Sequence, residues 1–469
     1  MSISKSEKQT KKVCMLLINN FTNDSRVQKE ALSLIASGYD VTVIAKLDPT
    51  VAVTEERLGI KIIRVPIFKV KRAALRPAFS VPGRASKRNV IDEPRTYRFP
   101  AWVNDNISLR ARQALKGLRF VYKVCLAFVG YSKKYLKYLR PLVLAKKIPC
   151  LARPITIISF NLQLLKAARN DNYDVIHAHD LNTLIAGYFI ARKNNAKVVY
   201  DSHELYLNRN RFEPYTRFGR WVRTKIEGYL ARKSDVVITV NDSIADILAE
   251  SYSIEKPLVI MNIPSGKQQQ TGFENVSLRD CLKISRQSKI MLYSGAITFN
   301  RGLESLIKSM VFLPDCHLVM MGFGAEDYKA RLQEVVLSHG VDKRFSFFGP
   351  VPGHLVTSYA KSADLGIAPI ENTCLSYYLC SPNKLFEYLL AGLPVITSNF
   401  PELKCVVEKF NVGGTFDPTS PQQISDAVNG VFSDKGMSNR LASAQKRILI
   451  DYSWENEEKK LLSAYESLN

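Results

Sequence analysis

Apolar residues along this chain fall into short unbroken runs that alternate with longer stretches where they recur every three or four positions. The first run, VCMLLI from Val13, leads through Asn19, Asn20 and Phe21 to Val27, Ala31, Leu34 and Ile35 at helical spacing. Gly38 stops that helix, and DVTVIA supplies a second strand. YDVIHAH, AKVVYDSH and DVVITVN are three further strands, each followed by a helix. Continuous apolar strands that alternate with helices predict a parallel sheet covered on both faces.

The pattern restarts after Pro257. KIMLYSG is a strand, 302–312 a helix, HLVMMGFG a strand and 325–339 a helix; RFSFFG, DLGIAP and LPVITS add three strands with helices between them. Pro257, Pro264 and Gly266 mark a hinge near 252–265. The expected organisation is one Rossmann-like α/β domain over 1–254, a second over 255–450, and a closing segment over 451–469. That segment reads as an amphipathic helix with Leu461, Leu462 and Tyr465 on one side. No fixed-period repeat occurs.

Composition narrows the class. A chain of 469 residues with 46% hydrophobic and 23% charged residues is globular and long enough for two or three domains. The eight cysteines are scattered without a C-x-x-C pair, which fits a reducing cytosol and argues against a zinc or dithiol centre. Lys11 and Lys12 precede an apolar run too short for a signal-peptide core, and no run of 18 apolar residues occurs, so neither secretion nor a membrane span is expected.

Charge changes the picture. Between Lys69 and Arg153 stand 21 Lys and Arg against only Asp92, Glu93 and Asp105, so +18 of the net +23 lies in one segment. The interval 69–153 also breaks the strand and helix alternation, and therefore reads as an insertion into the first domain. Its first half is rich in Pro, Arg and Ser. Its second half, 109–148, is helical in composition: Leu115, Leu118 and Phe120 interleave with Lys116, Arg119 and Lys123, and Lys133, Lys134, Lys137 and Arg140 follow. Apolar residues mixed with basic ones predict a segment that lies on an anionic membrane face. The competing readings are a domain helix with a solvated basic face and, least favoured, a nucleic-acid surface, since no nucleic-acid module accompanies the charge.

Several residues carry possible chemistry. His177 and His179 alternate on a strand whose end would face a ligand cleft, and His203 with Glu204 follows the next strand. Asp180 either orients His179 or caps a helix. Asp24 and Ser25 are equivalent helix caps, and Arg26 meets either an anion or solvent. Gly322 and Gly324 enclose Phe323 without the third glycine of a dinucleotide site, so they read as a tight turn between strand and helix. Arg301 precedes Gly302 at another such loop, and Lys384 and Glu387 lie three apart on a helix. Neither a phosphate-binding G-x-x-x-x-G-K-[ST] nor a D-x-D occurs, so no catalytic metal is expected.

Six segments in order, NNFTNDSRVQKEALSLIASGYDVTVIA, DVIHAHD, YSGAITFNRGLESLI, GFG, SPNKLFEYLLAGLPVITS and YSWENEEKKLLSAYESL, resemble the family 4 retaining glycosyltransferases. The resemblance covers nearly the whole chain outside the basic insertion. It implies the GT-B fold, with two facing Rossmann-like domains and a C-terminal helix crossing back to the first. It also implies transfer of a sugar from a nucleotide diphosphate donor to a glycan or lipid-linked acceptor in cell-surface polysaccharide or glycolipid synthesis, without cofactor or metal.

By that resemblance Arg301 and Lys384 hold the leaving diphosphate, where negative charge grows as the bond to the sugar breaks. His179 contacts the donor sugar. Glu387 accepts from the ribose hydroxyls, and Gly295, Gly322, Gly324, Val351 and Asn383 line the donor. Phe21, Arg26, His203 and Glu204 lie on the acceptor side. Two positions depart from the pattern: Leu379 stands where many relatives carry a second glutamate, and Ala296 where many carry an arginine. These departures motivate an alternative, a catalytically weakened GT-B protein that serves as a membrane-bound partner in a glycan-assembly complex. The expected place of either is the cytoplasm, peripherally on the inner face of the membrane.

Overall fold

The computed structural model describes residues 10–67, 152–211, 215–265 and 276–468. The described residues up to Pro66 and from Gln163 onward form one compact unit, and 67–162 cluster separately. Of the second unit, the described part is Ile67 and the beginning of helix Ala152–Ala167. The basic stretch expected to lie on a membrane, 109–148, falls outside the described residues.

The first sheet contains β1 (Lys12–Leu16), β2 (Asp40–Lys46), β3 (Thr54–Arg57), β4 (Ile60–Val65), β5 (Val175–His179), β6 (Lys197–Ser202), β7 (Val236–Thr239) and β8 (Leu258–Val259) in the order β3-β4-β2-β1-β5-β6-β7-β8. All pairs are parallel except β3 with β4. The central strands are largely buried beyond their first residues because helices cover both faces, which is why they read as continuous apolar runs. The antiparallel β3, TEER, lacks such a run and was not legible. β8 extends this sheet past the expected boundary at residue 254.

Helix α1 (Ser25–Ala36) buries Val27, Ala31 and Leu34 against the sheet, and Asp24 rather than Ser25 caps it by accepting from the Val27 amide. Helices α2 (Leu181–Asn194), α3 (Arg217–Ala231) and α4 (Asp242–Tyr252) follow β5, β6 and β7.

The second sheet contains β9 (Lys289–Ser294), β10 (Cys316–Met321), β11 (Phe345–Phe348), β12 (Leu365–Ala368), β13 (Val395–Ser398) and β14 (Gly413–Phe416), ordered β11-β10-β9-β12-β13-β14 and parallel throughout. Its helices include α5 (Leu303–Ser309), α6 (Glu326–Ser338), α7 (Leu375–Tyr378) and α8 (Asn383–Leu390). The switch in strand order at β9 and β12 opens a crevice at the carboxyl ends of those strands, where ligands bind in sheets of this kind.

The last helix, α9 (Trp454–Glu466), returns to the first sheet and packs on α1. Trp454, Leu461 and Tyr465 join the core beneath that helix. The Trp454 indole donates to the Ser33 hydroxyl at 3.1 Å, and the His177 ring lies 2.9 Å from the Tyr465 hydroxyl. A chain that leaves the second sheet thus finishes the core of the first.

Candidate active site

Two clusters lie at the carboxyl ends of the two sheets. The first is a buried network at β5, β6 and α1. Arg26 makes a two-pronged bond to Asp201, at 2.8 Å from Nε and 2.9 Å from Nη2, and Nη1 donates to the Ile260 carbonyl at 2.6 Å. Glu30, one turn along α1, lies 3.1 Å from the same guanidinium. His203 Nε2 sits 3.0 Å from Asp201 and 3.1 Å from His179 Nδ1. His177 and His179 stack at 4.2 Å, since side chains two apart on a strand share a face.

Charge explains how this network persists inside the protein. Burial works to raise Asp201, yet Arg26 and His203 outweigh it and hold the carboxyl well below its usual range. Burial likewise opposes a charged His203, but Asp201 pushes that imidazole up to about 10, so it stays protonated. Glu30 is raised to about 7 by burial against the pull of Arg26. His177 is held well below its ordinary value by burial and by His179. Both Glu30 carboxylate oxygens and Nε2 of His177 and His179 lack hydrogen-bond partners. Glu30, His177, His179 and Asp201 bring ligand atoms within 4.8 Å of one another, a set that resembles a metal site. Arg26 already supplies the positive charge such a set would gather, and it takes both oxygens of Asp201.

The second cluster is formed around β9, α7 and α8. Arg301 lies with its guanidinium 4.6 Å from the centre of the Tyr377 ring, and its Nε is buried without a hydrogen-bond partner. Lys384 Nζ stands 3.8 Å from the centre of the Tyr293 ring. It also lies against Gly295, where an added Cβ would meet it at 3.3 Å. Burial lowers Lys384 to about 7, and the neighbouring Arg301 adds to the effect. Glu387, one turn further along α8, is raised by burial while Lys384 and Lys29 oppose the rise. Lys29 comes from α1 of the first sheet, and burial lowers it to about 7 as well. Among the described residues neither Arg301 nor Lys384 has an ion-pair partner, so the two are poised to receive an anion.

Side chains of the first sheet reach the second cluster. Asn241 donates to the Leu379 carbonyl at 2.7 Å, Asn300 donates to Asn210 at 3.2 Å, and the Ser376 hydroxyl lies 3.4 Å from the Glu204 carboxylate. Burial raises Glu204, with Asp180 contributing.

The structure therefore brings Arg301, Lys384, Gly295 and Glu387 together as the sequence suggested, with Asn383 opening the same helix. Val351 follows β11 and packs on the core of the second sheet. Gly322 and Gly324 are required by close backbone approach: a Cβ would meet Gly295 O at 1.9 Å and Ile297 O at 2.6 Å. Two residues expected at the acceptor are internal. Phe21 is fully buried in the core and Arg26 is only 3% exposed, so their observed contacts are with the protein itself. His179 is buried too, whereas the His203 side chain keeps 24% of its surface exposed. Leu379 is buried, and the Ala296 carbonyl accepts from the Tyr293 hydroxyl.

Sequence reasoning missed Lys29, Glu30, Asp201 and Asn241. The spacing of Arg26 and Glu30, four apart on a helix, was a usable signal for one of them. Asp201, at the end of a strand and two residues before His203, was another. The contact of Asn241 with Leu379 spans 138 positions and leaves no local trace.

Two α/β halves of the compact unit, each built on a parallel sheet but for the edge strand β3, and closed by a helix that returns to the first, define the GT-B class of glycosyltransferases. Residues 277–448 match the family model for glycosyl transferases group 1, and residues 116–262 match that for Glycosyltransferase Family 4. The chain belongs to the family 4 glycosyltransferases and is an enzyme of that kind. It is 27% identical to an uncharacterized glycosyltransferase of Methanocaldococcus jannaschii over 63% of this chain and 75% of that one. It is 24% identical to a D-inositol 3-phosphate glycosyltransferase of Corynebacterium urealyticum over 67% of this chain and 77% of the relative. Among solved structures, sucrose-phosphate synthase of Thermosynechococcus elongatus superposes with a TM-score of 0.67 at 16% identity, covering 98% of this chain and 99% of that one. HepE of Anabaena, in complex with UDP and glucose, gives 0.60 at 14% identity, covering 97% of this chain and 100% of that one. Among the described residues, no helix is long and apolar enough to cross a membrane.

Proposed function

We propose that the protein transfers a sugar, with retention of configuration, from a nucleotide diphosphate sugar to a glycan or lipid-linked acceptor held at an anionic membrane face, in polysaccharide or glycolipid synthesis. The observation that carries the reading is the pairing of Arg301 with Lys384 at the end of β9. The two cations are close enough for Arg301 to depress Lys384, and each lies over an aromatic ring rather than against a carboxylate. A diphosphate seated there would neutralise both, and the oxygen left when the sugar departs would be stabilised by the same groups. Glu387, a turn away, is placed to accept from ribose hydroxyls. HepE, whose solved complexes contain UDP and UDP-glucose, shares the fold and so makes a uridine donor the first to try.

The test is release of nucleoside diphosphate from a panel of UDP-, GDP- and ADP-sugars with membrane extracts as acceptor. The enzyme should turn over one donor class, and Arg301→Ala should lower kcat by roughly 10²–10³-fold, by analogy with removal of one oxyanion donor. No saturable binding of any nucleotide sugar would overturn the reading. Buried Leu379 favours a second one, a weakened enzyme acting as an assembly partner. Under that reading the Arg301→Ala/Lys384→Ala double variant would keep biological activity; under the first it loses it.

A further inference from the structure

We propose that helix α3 is a membrane-docking face, which seats the protein on anionic lipid beside the acceptor end of its cleft. The inference gives the membrane part of the proposed function a particular surface within the described residues. The helix buries Glu227, Gly228, Leu230 and Ala231, packing on α2 and α4, with Glu227 accepting from the Tyr200 hydroxyl of β6. Its opposite side is exposed and unusual in composition. Phe218 is 74% exposed, Tyr229 50% and Trp221 39%, although side chains of this size are ordinarily covered. Positions 218, 221, 225 and 229 fall within one face of a helix, so the three aromatics and Lys225 form a single stripe. The Phe218 and Trp221 rings lie nearly parallel with centroids 6.0 Å apart, and Tyr229 meets Tyr188 of α2 edge-on at 6.4 Å.

Charge decides what covers this stripe. Arg217, Arg220, Arg223, Lys225, Arg232 and Lys233 lie between 215 and 234, and the one acid in that interval, Glu227, is buried. The adjoining α4 exposes Asp242, Asp246 and Glu250, of which the first two are paired with Lys256, so the exposed charge of α3 itself is wholly basic. Aromatics beside such a basic stretch fit the boundary between lipid headgroups and acyl chains. There rings insert and Lys or Arg meet phosphate. The place of the helix matters equally. Arg220 donates to Asn208 at 2.6 Å, and Asn208 ends the short turn Tyr206–Asn208 that follows His203 and Glu204. The aromatic start of α3 therefore adjoins the segment leading to the cleft, so a lipid-linked acceptor in the same leaflet would be held at raised local concentration.

The experiment uses the full chain. Sedimentation with vesicles of phosphatidylcholine alone, or mixed with phosphatidylglycerol, is compared for wild type, a charge variant (Arg217→Glu, Lys225→Glu, Lys233→Glu) and an apolar variant (Phe218→Ser, Trp221→Ser). Each basic residue near an anionic surface contributes roughly fivefold to partitioning, so the charge variant should lose at least tenfold in binding to mixed vesicles. The apolar variant should lose binding that high salt does not remove. Thermal melts and donor turnover with a water-soluble acceptor should remain those of wild type. If both variants bind as wild type does, the assignment of α3 is overturned while the membrane reading stands. If wild type binds neither vesicle, both fail, and donor turnover alone then judges the glycosyltransfer. Should a variant not fold, hydrogen exchange of the unaltered protein decides. Slower exchange in 217–231 with mixed vesicles only is the expected result; unchanged exchange there overturns the proposal.

Discussion

The side-chain amide of Asn241 donates to the carbonyl of Leu379 at 2.7 Å while its oxygen accepts from the Ile244 amide at 2.9 Å. One residue thus caps α4 in the first sheet and holds the segment after α7 in the second. Asn241→Asp keeps the capping oxygen but turns the donor into an acceptor that faces a buried carbonyl. The cap's contribution of about 1 kcal/mol should survive, so Tm should change little more than the lost bond requires. Donor kcat/KM should fall by about tenfold, because an unpaired buried carbonyl costs roughly 1–3 kcal/mol in the closed arrangement. Asn241→Ala should lose both activity and the cap. Steady-state kinetics beside thermal melts separate the two; equal kcat/KM for Asn241→Asp and wild type would show that the contact has no part in closing the cleft.

Under the proposed function, Lys384 makes donor binding sensitive to pH. Burial, with Arg301 close by, lowers it to about 7. The free enzyme therefore loses this charge as pH rises through 7, and donor binding must then take up a proton. Affinity for a nucleotide sugar should decline above pH 7 by up to about tenfold per unit, and Lys384→Gln should bind weakly with little slope. Lys29 also titrates near 7, so Lys29→Gln is the necessary companion. For stability the sign is separate. The unfolded chain holds the Lys384 proton up to the ordinary value of 10.5 and the folded chain does not, so this group makes stability rise with pH between about 7 and 10.5. Isothermal titration across pH 6–9 in two buffers of different ionisation enthalpy checks the proton uptake.

The central strands were legible because a parallel sheet buried on both faces demands apolar runs: VCMLLI covers all but the first residue of β1, and KIMLYSG and LPVITS contain β9 and β13. Arg301, Lys384 and Glu387 were legible by resemblance and proved to be neighbours. What escaped the sequence depends on burial. Arg26 looks like a surface arginine in a loop motif, and only the fold shows that Asp201, 175 positions away, neutralises it. β3 was hidden because TEER is half exposed and has no apolar alternation to declare it.

Arg26 and Asp201 should contribute chiefly to stability. Replacing Arg26 with Met leaves Asp201 and Glu30 buried beside each other with the nearest cation removed, and loss of one partner of a buried ion pair costs about 3–5 kcal/mol. Arg26→Met should therefore lower the denaturation midpoint sharply. The double variant Arg26→Met/Asp201→Asn should recover part of that loss, since no uncompensated charge remains at 201. Urea unfolding of the four proteins in the cycle measures the coupling. A coupling near zero would mean that the pair is not closed in solution, and would return Arg26 to the acceptor side where the sequence first placed it.

Gly322 tests whether the GFG segment is a phosphate cradle or a packing device. Its φ of +153° is disfavoured for other residues, and an added Cβ would lie 1.9 Å from the Gly295 carbonyl oxygen, inside any van der Waals contact. The neighbouring Gly324 meets Ile297 in the same way, across the bridge that joins these two loops. The glycines thus let the β10 loop lie directly on the loop after β9, which leads to Arg301 and against which Lys384 rests. Gly322→Ala must push those loops apart, at a cost of roughly 1–3 kcal/mol for the backbone strain and more for the collision. Because Gly295 abuts Lys384, the displacement should reach the cation and weaken nucleotide binding together with stability. A phosphate cradle predicts a different result, full thermal stability with weak binding. Thermal melts with and without nucleoside diphosphate distinguish them: an unchanged Tm in the free Gly322→Ala protein would refute the packing role.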